Sequence, residues 1–529
     1  MWDLEKLKGM AGKGKVSRRD FIQFALATGV TVAAAETMFV NAVQAAPKKG
    51  GSFKMALGHG ATTDSLDPAT YPDQFTGTVG WGSIGNSLTE VDYKGDIQLD
   101  LAESMDHSDD AKTWMFKLRK GATFHNGKTV TSTDVVESFR WHMGKDSKSA
   151  AKSLLKDVTD IKADGPETTV FTLTSGSADF PYIASDYHIP IMPAKDGGGV
   201  DWQSGIRTGH YLLEKFEPGV SAKMKRNPNY YGKAWFDDVE VLSIIDVNAR
   251  TNALTNGEVH YIDRCDLKTL SLLKRQPGIK IWEGTGYGHY VLPMLTNVAP
   301  FDNVDVRTAL KYAVDRQDIL KKVFLGHGKV GNDNPIAPGI KYEIDPTPKF
   351  AYDPEKAKFH LKKAGLSSLK VDLSASDAAF AGAVDAAVLY QQHAKAAGID
   401  INVVREPNDG YWDNVWMKKP WCASYWNGRP TIDWMFTTAY AADASWNDTN
   451  WKNPKFNELL IQARSETDTK KRATMYSEMQ ELLHNDGGIM VLMFNSYVSA
   501  YSNKLGHEAH VAANWDDDGM KLTSRWWFA

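Results

Sequence analysis

The sequence predicts a mixed α/β protein, and two kinds of pattern support that prediction. Predicted helices open with capping residues and continue with apolar side chains three and four positions apart. Short runs rich in Val, Ile and Tyr lie between them and are typical of strands. The two kinds of segment alternate from residue 49 to the C-terminus without an internal repeat or a low-complexity linker. Such alternation favours a fold with several strand–helix crossovers.

The individual elements follow in chain order. Strands are predicted at 50–57, 239–245, 259–263, 369–374, 399–405 and 489–497. Helices are predicted at 131–141, from 303 toward 323, from 353 to 365, from 453 onward, and at 470–485 before a left-handed cap at 487–488. The Gly-rich segment 284–288 lacks the full dinucleotide-binding spacing, so a turn beside a strand is predicted there.

The N-terminal 45 residues have the features of an export signal. Residues 17–22 form a twin-arginine pattern around Arg18 and Arg19, behind a basic leader. An interrupted apolar run over 24–40 follows, and 43–45 offer the small residues that a signal peptidase reads. A disordered tail or a membrane anchor is the alternative, although the run is short and polar for a membrane span. The order of these features predicts a periplasmic protein exported by the twin-arginine route.

Composition limits the partners of the chain. Its 529 residues carry a net charge of −4 without basic blocks, which argues against nucleic acid and anionic lipid as partners. The two cysteines, Cys265 and Cys422, lie far from the predicted cleavage region, so no lipid-modified Cys and no direct membrane anchor are expected. Cys265 and Cys422 either form a disulfide or remain two separate buried thiols, and the sequence favours neither.

No pattern in the sequence predicts catalysis. Nucleophile-elbow, zinc-protease, P-loop and Cys-x-x-Cys motifs are all missing. The 14 histidines are scattered singly, as expected for ordinary surface or core residues rather than metal ligands. The sequence therefore predicts a binding protein that is not an enzyme and has neither a metal site nor a cofactor.

An ordered set of short motifs resembles one known family. The motifs are Asp-Ser-Leu-Asp-Pro at 64–68, Leu-Ala-Glu-Ser at 101–104, Phe-Lys-Leu-Arg at 116–119, Gly-Ala-Thr-Phe-His-Asn-Gly at 121–127, Gly-His-Tyr at 209–211, Arg-Asn-Pro-Asn-Tyr-Tyr at 226–231, Arg250 with Gly-Glu-Val at 257–259, Val-Arg-Thr-Ala-Leu at 306–310 and Ala-Val-Asp-Arg at 313–316. In this order they resemble the family 5 extracellular solute-binding proteins, which bind peptides, opines and, in some members, nickel complexes or haem. One departure is Arg207, where relatives usually have Gly.

The resemblance implies an α/β fold that is a two-lobed periplasmic binding protein of class C, type II-like, with hinge strands. The N-terminal lobe of such proteins is discontinuous and carries an extra small domain. The implied boundaries are 46–90, 201–290 and 491–529 for the three parts of lobe 1, 91–200 for the inserted small domain and 291–490 for lobe 2. A monomer is implied that delivers its ligand to the permease and ATPase subunits of an ABC importer.

One aromatic-rich segment is the candidate ligand site. Seven Trp residues fall within 40 positions: Trp412, Trp416, Trp421, Trp426, Trp434, Trp446 and Trp451. Packing roles are predicted for Trp412 and Trp416, which have helical spacing. The segment 425–430, Tyr-Trp-Asn-Gly-Arg-Pro, breaks any packing period. Aromatic walls with a few fixed polar groups suit a ligand that is part apolar and part charged.

Resemblance to the dipeptide binders sharpens this candidate. Those relatives carry Trp-x-Gly-Asp, whose Asp pairs with the ligand ammonium, where this chain has Trp426-Asn427-Gly428-Arg429. An Arg grips a carboxylate or phosphate instead. The relatives also place a carboxylate-binding Arg after the strand at 369–374, and an ungapped alignment puts Asp377 there. Both differences together would reverse the charges of the ligand anchors. Alternatively, Arg429 pairs internally with Asp433 or Asp377.

The remaining predicted contacts are Asp433 and Trp434, which follow the motif, and Asp64, in a loop of the first lobe that is expected to face the cleft. The function predicted is therefore uptake of a small peptide, opine or amino-acid-derived solute. Rival interpretations are a carrier of a metal complex or haem, and a ligand-presenting protein for chemoreception or a periplasmic chaperone.

Overall fold

A computed structural model describes residues 4–12, 15–32, 34–36, 38, 47–145, 147–408, 410–466 and 468–529. The predicted cleavage region at 43–45 lies outside these residues. Arg18 and Arg19 begin the helix Arg18–Ala27, where the side chain of Ser17 accepts a hydrogen bond from the Asp20 amide. None of the helices in the described residues is both long and apolar enough to cross a bilayer.

The elements of the described chain alternate between strands and helices. The strands are β1 Ser52–Leu57, β2 Thr89–Val91, β3 Ile97–Leu99, β4 Ala102–His107, β5 Thr113–Leu118, β6 Val158–Asp164, β7 Thr168–Leu173, β8 Tyr211–Glu217, β9 Ser221–Arg226, β10 Asp238–Ser243, β11 Tyr261–Ile262, β12 Ile279–Val291, β13 Gly328–Val330, β14 Leu369–Ala375, β15 Ile399–Arg405, β16 Ser424–Trp426, β17 Val491–Ser502, β18 Leu505–Gly506 and β19 Trp527–Phe528. The α-helices are Leu4–Gly12, Arg18–Ala27, Gln74–Gly77, Ser132–Met143, Phe180–Ile183, Val247–Thr255, Leu270–Leu273, Val304–Tyr312, Arg316–Lys322, Pro354–Lys363, Ala383–Lys395, Tyr411–Asn414, Ile432–Ala439, Pro454–Ser465, Thr469–Asp486, Asp516–Gly519 and Leu522–Arg525. This is the mixed α/β chain that the sequence predicts.

The largest sheet is built from distant parts of the sequence. Its order is β16-β12-β17-β11-β1-β10-β9-β8, with β13 also paired to β17. Strand β1 lies parallel to both β10 and β11. The opening, middle and C-terminal segments therefore share one sheet, as the resemblance implies for a discontinuous lobe.

Two long strands join the halves of the molecule. β12 and β17 pair antiparallel from Ile279 opposite Ser502 to Val291 opposite Val491. At the far end of this ladder, β16 pairs with β12 and β13 pairs with β17. Because both strands continue from the first lobe into the second, we describe β12 and β17 as the hinge strands.

Two smaller sheets belong to other layers. β4, β5, β7 and β6 form an antiparallel sheet that packs on the helix Ser132–Met143, with a core containing Phe116, Phe139 and Phe171. β14 and β15 form a parallel pair against the helix Ala383–Lys395, within the main core of the second lobe. The antiparallel sheet falls inside the segment 91–200. The domain boundaries themselves remain predictions.

Helix starts were predicted more accurately than helix ends. The side chains of Asn303, Asp353 and Asn453 each accept a backbone hydrogen bond at the first turn of a helix. The helix expected to run toward residue 323 ends at Tyr312, because Asp315 caps a second helix, Arg316–Lys322. The left-handed cap predicted at 487 is also wrong, since Gly487 has φ −66° and ψ 157°.

The Gly-rich segment 284–288 lies inside hinge strand β12 and does not form the predicted turn. The ladder with β17 loses its regular register between Thr285 and His289. A Cβ atom on Gly286 would lie 2.0 Å from the carbonyl oxygen of Ala513. The glycine therefore permits close packing of the C-terminal segment on the hinge.

The two cysteines are free and buried in the structure. Cys265 belongs to the core beside β11, whereas Cys422 belongs to the core of the second lobe. Burial raises the pKa of the Cys265 thiol to about 12. The sequence left open a disulfide or two separate thiols, and the structure contains two separate thiols.

Thiol titration tests this state. We expect almost no reaction of native protein with a thiol reagent, because both sulfurs are buried, and two reactive thiols after denaturation without reductant. Denatured samples treated with reductant serve as the control. Fewer than two thiols before reduction would show that Cys265 and Cys422 form a disulfide.

Candidate ligand-binding cleft

A cavity of about 640 Å³ lies where the two lobes face each other. Its walls come from three separate parts of the chain. The lining residues are Ala69, Thr70, Tyr71, Pro72, Lys148, Ser149, Ala150, Tyr187, Trp412, Trp416, Tyr425, Trp426, Asn427, Arg429, Ser445 and Trp446. A volume of this size suits a small organic ligand.

A second, smaller cavity continues the first toward the hinge strands. It measures about 130 Å³ and shares Tyr425 and Asn427 with the larger cavity. On the lobe 1 side of this cavity, Arg264 and Asp516 form an ion pair. A terminal guanidinium nitrogen of Arg264 lies 3.2 Å from Oδ2 of Asp516. The two cavities therefore meet at the Tyr425–Asn427 segment, and the smaller one is lined by residues of hinge strand β17.

Four indoles form one wall of the larger cavity. Trp416 lies edge-on to Trp412 at 5.7 Å, to Trp426 at 6.1 Å and to Trp446 at 6.2 Å between ring centroids. Trp412 is 39% exposed. The predicted packing role is therefore wrong for Trp412, and Trp416 combines packing with cavity lining. Helical spacing alone does not distinguish a core face from a cleft face.

Asp448 lies behind this wall and was missed by the sequence analysis. Its Oδ2 accepts hydrogen bonds of 3.1 Å from the indole nitrogens of both Trp416 and Trp426. Burial raises the pKa of the Asp448 carboxyl to about 7. Its only sequence signal was an acidic residue close to a cluster of Trp, which many surface loops also show.

Arg429 is buried, and part of its hydrogen-bonding capacity is unused. One terminal nitrogen donates to the carbonyls of Asn427 and Gly428, while Nε has no partner. The guanidinium carbon lies 5.7 Å from the ring centre of Trp434. Within the part of the chain that the structure describes, no carboxylate lies at ion-pair distance from Arg429. The internal pairs considered with Asp433 and Asp377 are therefore not formed.

Trp426, Asn427 and Arg429 are the predicted site residues that line the cleft. Gly428 lies against the hinge instead, because a Cβ atom there would approach the backbone oxygen of Tyr287 to 2.2 Å. Trp434 is buried edge-on to Trp515, across the boundary between the lobes.

The three predicted acids lie elsewhere. Asp377 is exposed and accepts hydrogen bonds from the amides of Gly382 and Val384, so it caps the helix Ala383–Lys395. Asp64 accepts from the Ala61 amide at 2.8 Å within its own loop, and burial raises its pKa to about 6. Asp433 binds Arg464. None of the three acids lines either cavity. Asp64 and Asp377 bind backbone amides close by in the sequence, whereas Asp433 belongs to an ion-pair cluster around Arg464.

Ion pairs connect the second lobe to the segment 91–200. Arg464 pairs with Asp433 at 3.1 Å and also with Asp157 of that segment. Arg472 pairs with Asp179 at 2.7 Å. Both arginines are buried, so these pairs hold the lobes together in the arrangement seen here.

The fold and this cleft define a two-lobed solute-binding protein that encloses its ligand between lobes. Residues 96–448 match the model of bacterial extracellular solute-binding proteins, family 5 middle. The match covers more than half of the chain, which therefore belongs to the family 5 extracellular solute-binding proteins. Members of this family are substrate-binding components of transporters and not enzymes.

Individual relatives agree with this assignment. The chain is 24% identical to the oligopeptide-binding protein AppA of Bacillus subtilis over 84% of this chain and 86% of that protein. The structure of AgaA from A. tumefaciens R10 in complex with agropinic acid matches with a TM-score of 0.80 at 24% identity, covering 90% of this chain and 99% of AgaA. DppA of Helicobacter pylori in complex with the peptide STSA matches with a TM-score of 0.79 at 24% identity, covering 91% and 98%.

Replacement of Arg464 tests the contribution of the interlobe ion pairs. Arg464→Met leaves Asp433 buried without its counter-charge, so we expect the free energy of unfolding to fall by about 3–5 kcal/mol. Lys156→Met is the matched control, because Lys156 also joins the lobes, through Asp443, but in an exposed pair. That change should cost within about 1 kcal/mol. Chemical denaturation measures both, and equal effects would contradict the role given to Arg464.

Proposed function

We propose that this protein is the periplasmic substrate-binding component of an ABC importer, and that it carries a small peptide, opine or amino-acid-derived solute with an anionic group at Arg429. The buried guanidinium in the cleft is the observation that supports this proposal. The relatives named for oligopeptide binding or solved with peptide STSA or agropinic acid support the ligand class. The partners proposed are the permease and ATPase subunits, and the working form is a monomer.

Arg429 selects against a free ammonium at its position. An ammonium placed there would face a fixed positive charge in a site shielded from water, where repulsion is stronger than in solvent. A carboxylate or phosphate would instead accept charge-assisted hydrogen bonds from the guanidinium, which lines the cavity. Unmodified dipeptides should therefore bind weakly.

Ligand binding favours the closed arrangement because the cleft has walls on both lobes. Tyr71 and Pro72 lie on one side, and Trp426 and Arg429 lie on the other. A ligand shifts the equilibrium between open and closed forms only as far as it binds one form better. Contacts with both walls exist only in the closed form, which the permease would then recognise.

Substitution of Arg429 tests the ligand class. The solute that co-purifies with the protein is identified by mass spectrometry, and its affinity is measured by calorimetry. Arg429→Ala should weaken binding by about 2–5 kcal/mol, as truncation of one partner of a buried charge pair does. Arg429→Lys should recover part of the lost binding free energy, since the Lys ammonium keeps the charge but does not reproduce the paired donors of a guanidinium.

Arg405→Ala is the control for this experiment and should bind the solute like the wild type, because Arg405 is an exposed arginine at the end of β15 that lines neither cavity. Thermal melting of each variant shows whether the fold is kept. An Arg429→Ala protein that melts like the wild type and binds the solute equally well would refute the assignment of the anchor.

The export route is tested at the paired arginines. Changing Arg18 and Arg19 together to Lys should leave the protein in the cytoplasm, because the twin-arginine pattern is then lost while the charge is kept. Cell fractionation with immunoblotting measures the distribution. The control changes Lys6 and Lys8 to Arg, a swap of the same kind outside the pattern. Undiminished periplasmic protein after the Arg18 and Arg19 change would rule out this route.

A further inference from the structure

The indole wall of the cleft presents several aromatic rings to one cavity. Trp416, Trp426 and Trp446 contact one another with ring centroids 6.1–6.2 Å apart, and all three line the cavity. Trp412 extends this wall toward Tyr425, 5.6 Å away. Large aromatic surfaces at a cleft favour a ligand group that covers them, because removing apolar area from water is favourable.

Asp448 fixes the orientation of this wall. It binds the nitrogens of Trp416 and Trp426 from behind the wall. The polar edges of the two rings are thus satisfied on the protein side, so the ligand needs no donor or acceptor to satisfy them. Burying a carboxyl group is costly, and its raised pKa of about 7 reflects that cost. Asp448 is accordingly a positioning residue, which acts on a ligand through the two indoles.

Charge in the same cavity restricts the rest of the ligand. Arg429 and Lys148 both line it, and among its described lining residues there is no carboxylate. An anionic group is therefore favoured, and a free ammonium finds no acidic partner among those residues. The aromatic wall and the cationic groups bound one cavity of about 640 Å³, so a single small molecule would contact both.

We infer that the indole wall, held by Asp448, binds an aromatic group of the transported solute, and that this solute is an amine-capped aromatic amino acid or a related aryl carboxylate. This inference rests on the proposed function and narrows its ligand class. The aromatic group stacks against Trp416 and Trp446, while the carboxylate binds Arg429. Acylation of the amine removes the ammonium, because the described lining of the larger cavity offers no carboxylate and Asp516 of the adjoining cavity is already paired with Arg264.

Three probes test the inference by calorimetry: N-acetyl-L-tryptophan, N-acetyl-L-alanine and tryptamine. N-acetyl-L-tryptophan should bind roughly 10- to 100-fold more tightly than N-acetyl-L-alanine, since burial of a large side chain contributes at that level. Tryptamine, which is aromatic but cationic, should bind more weakly than N-acetyl-L-tryptophan. Equal affinity for the two acetylated probes, or tighter binding of tryptamine, would overturn the inference.

Variants of the indole wall distinguish recognition of the aromatic group from recognition of the carboxylate at Arg429. Trp416→Leu and Trp446→Leu should each reduce the preference for N-acetyl-L-tryptophan over N-acetyl-L-alanine, whereas Trp235→Leu, away from the cleft, should leave it unchanged. Asp448→Leu should reduce the same preference, and Asp448→Asn, which keeps an oxygen acceptor, should restore it. A preference unchanged in Trp416→Leu, Trp446→Leu and Asp448→Leu would overturn the assigned roles.

The outcomes also distinguish this inference from the proposed function. If the co-purifying solute depends on Arg429 but no aromatic preference exists, the proposed function stands and the inference fails. If binding of that solute is unchanged in Arg429→Ala, the assignment of Arg429 as the anchor is wrong. The aromatic preference is then decided by the Trp416 and Trp446 variants alone.

Discussion

The antiparallel pairing of β12 with β17 is the interaction on which the rest of this structure depends. These two strands belong to both lobes, and β16 and β13 of the second lobe are hydrogen-bonded to them. β16 carries Tyr425 and Trp426, so the position of the aromatic wall follows from its register on β12. The candidate binding segment is thus attached to the central sheet through β16.

Charge is distributed unevenly over the surfaces that meet between the lobes. Arg464 and Arg472 have carboxylate partners, some of them on the opposite lobe. Arg429 is buried to a similar degree, yet its hydrogen bonds go to backbone carbonyls of its own segment. A buried cation without a carboxylate at ion-pair distance is costly unless something else compensates it, and among the described residues Asp186 acts on Arg429 only from farther away. A bound anion would supply that compensation, which is why we place the ligand anchor at Arg429 and not at the paired arginines.

The sequence predicted local features well and long-range ones poorly. Helix starts depend on side chains within three residues, so Asn303, Asp353 and Asn453 were identified as caps correctly. Asp377 was predicted to contact the ligand on the basis of an ungapped alignment. In the structure it caps a helix instead. Asp433 was expected at the ligand because it follows the motif by four positions. Its partner Arg464 lies 31 residues away, a pairing that no local pattern reveals.

Gly428 gives the binding motif a mechanical property. Because its α-carbon lies so close to the backbone of Tyr287 that even a methyl group would overlap it, the motif and the hinge strand have no room to slide past each other. A bend of the hinge strand at Tyr287 would therefore displace Asn427 and Arg429, the residues on either side of Gly428. Under the proposed function, a solute held at Arg429 would therefore act on the hinge strand directly, through the contact of Gly428 with Tyr287.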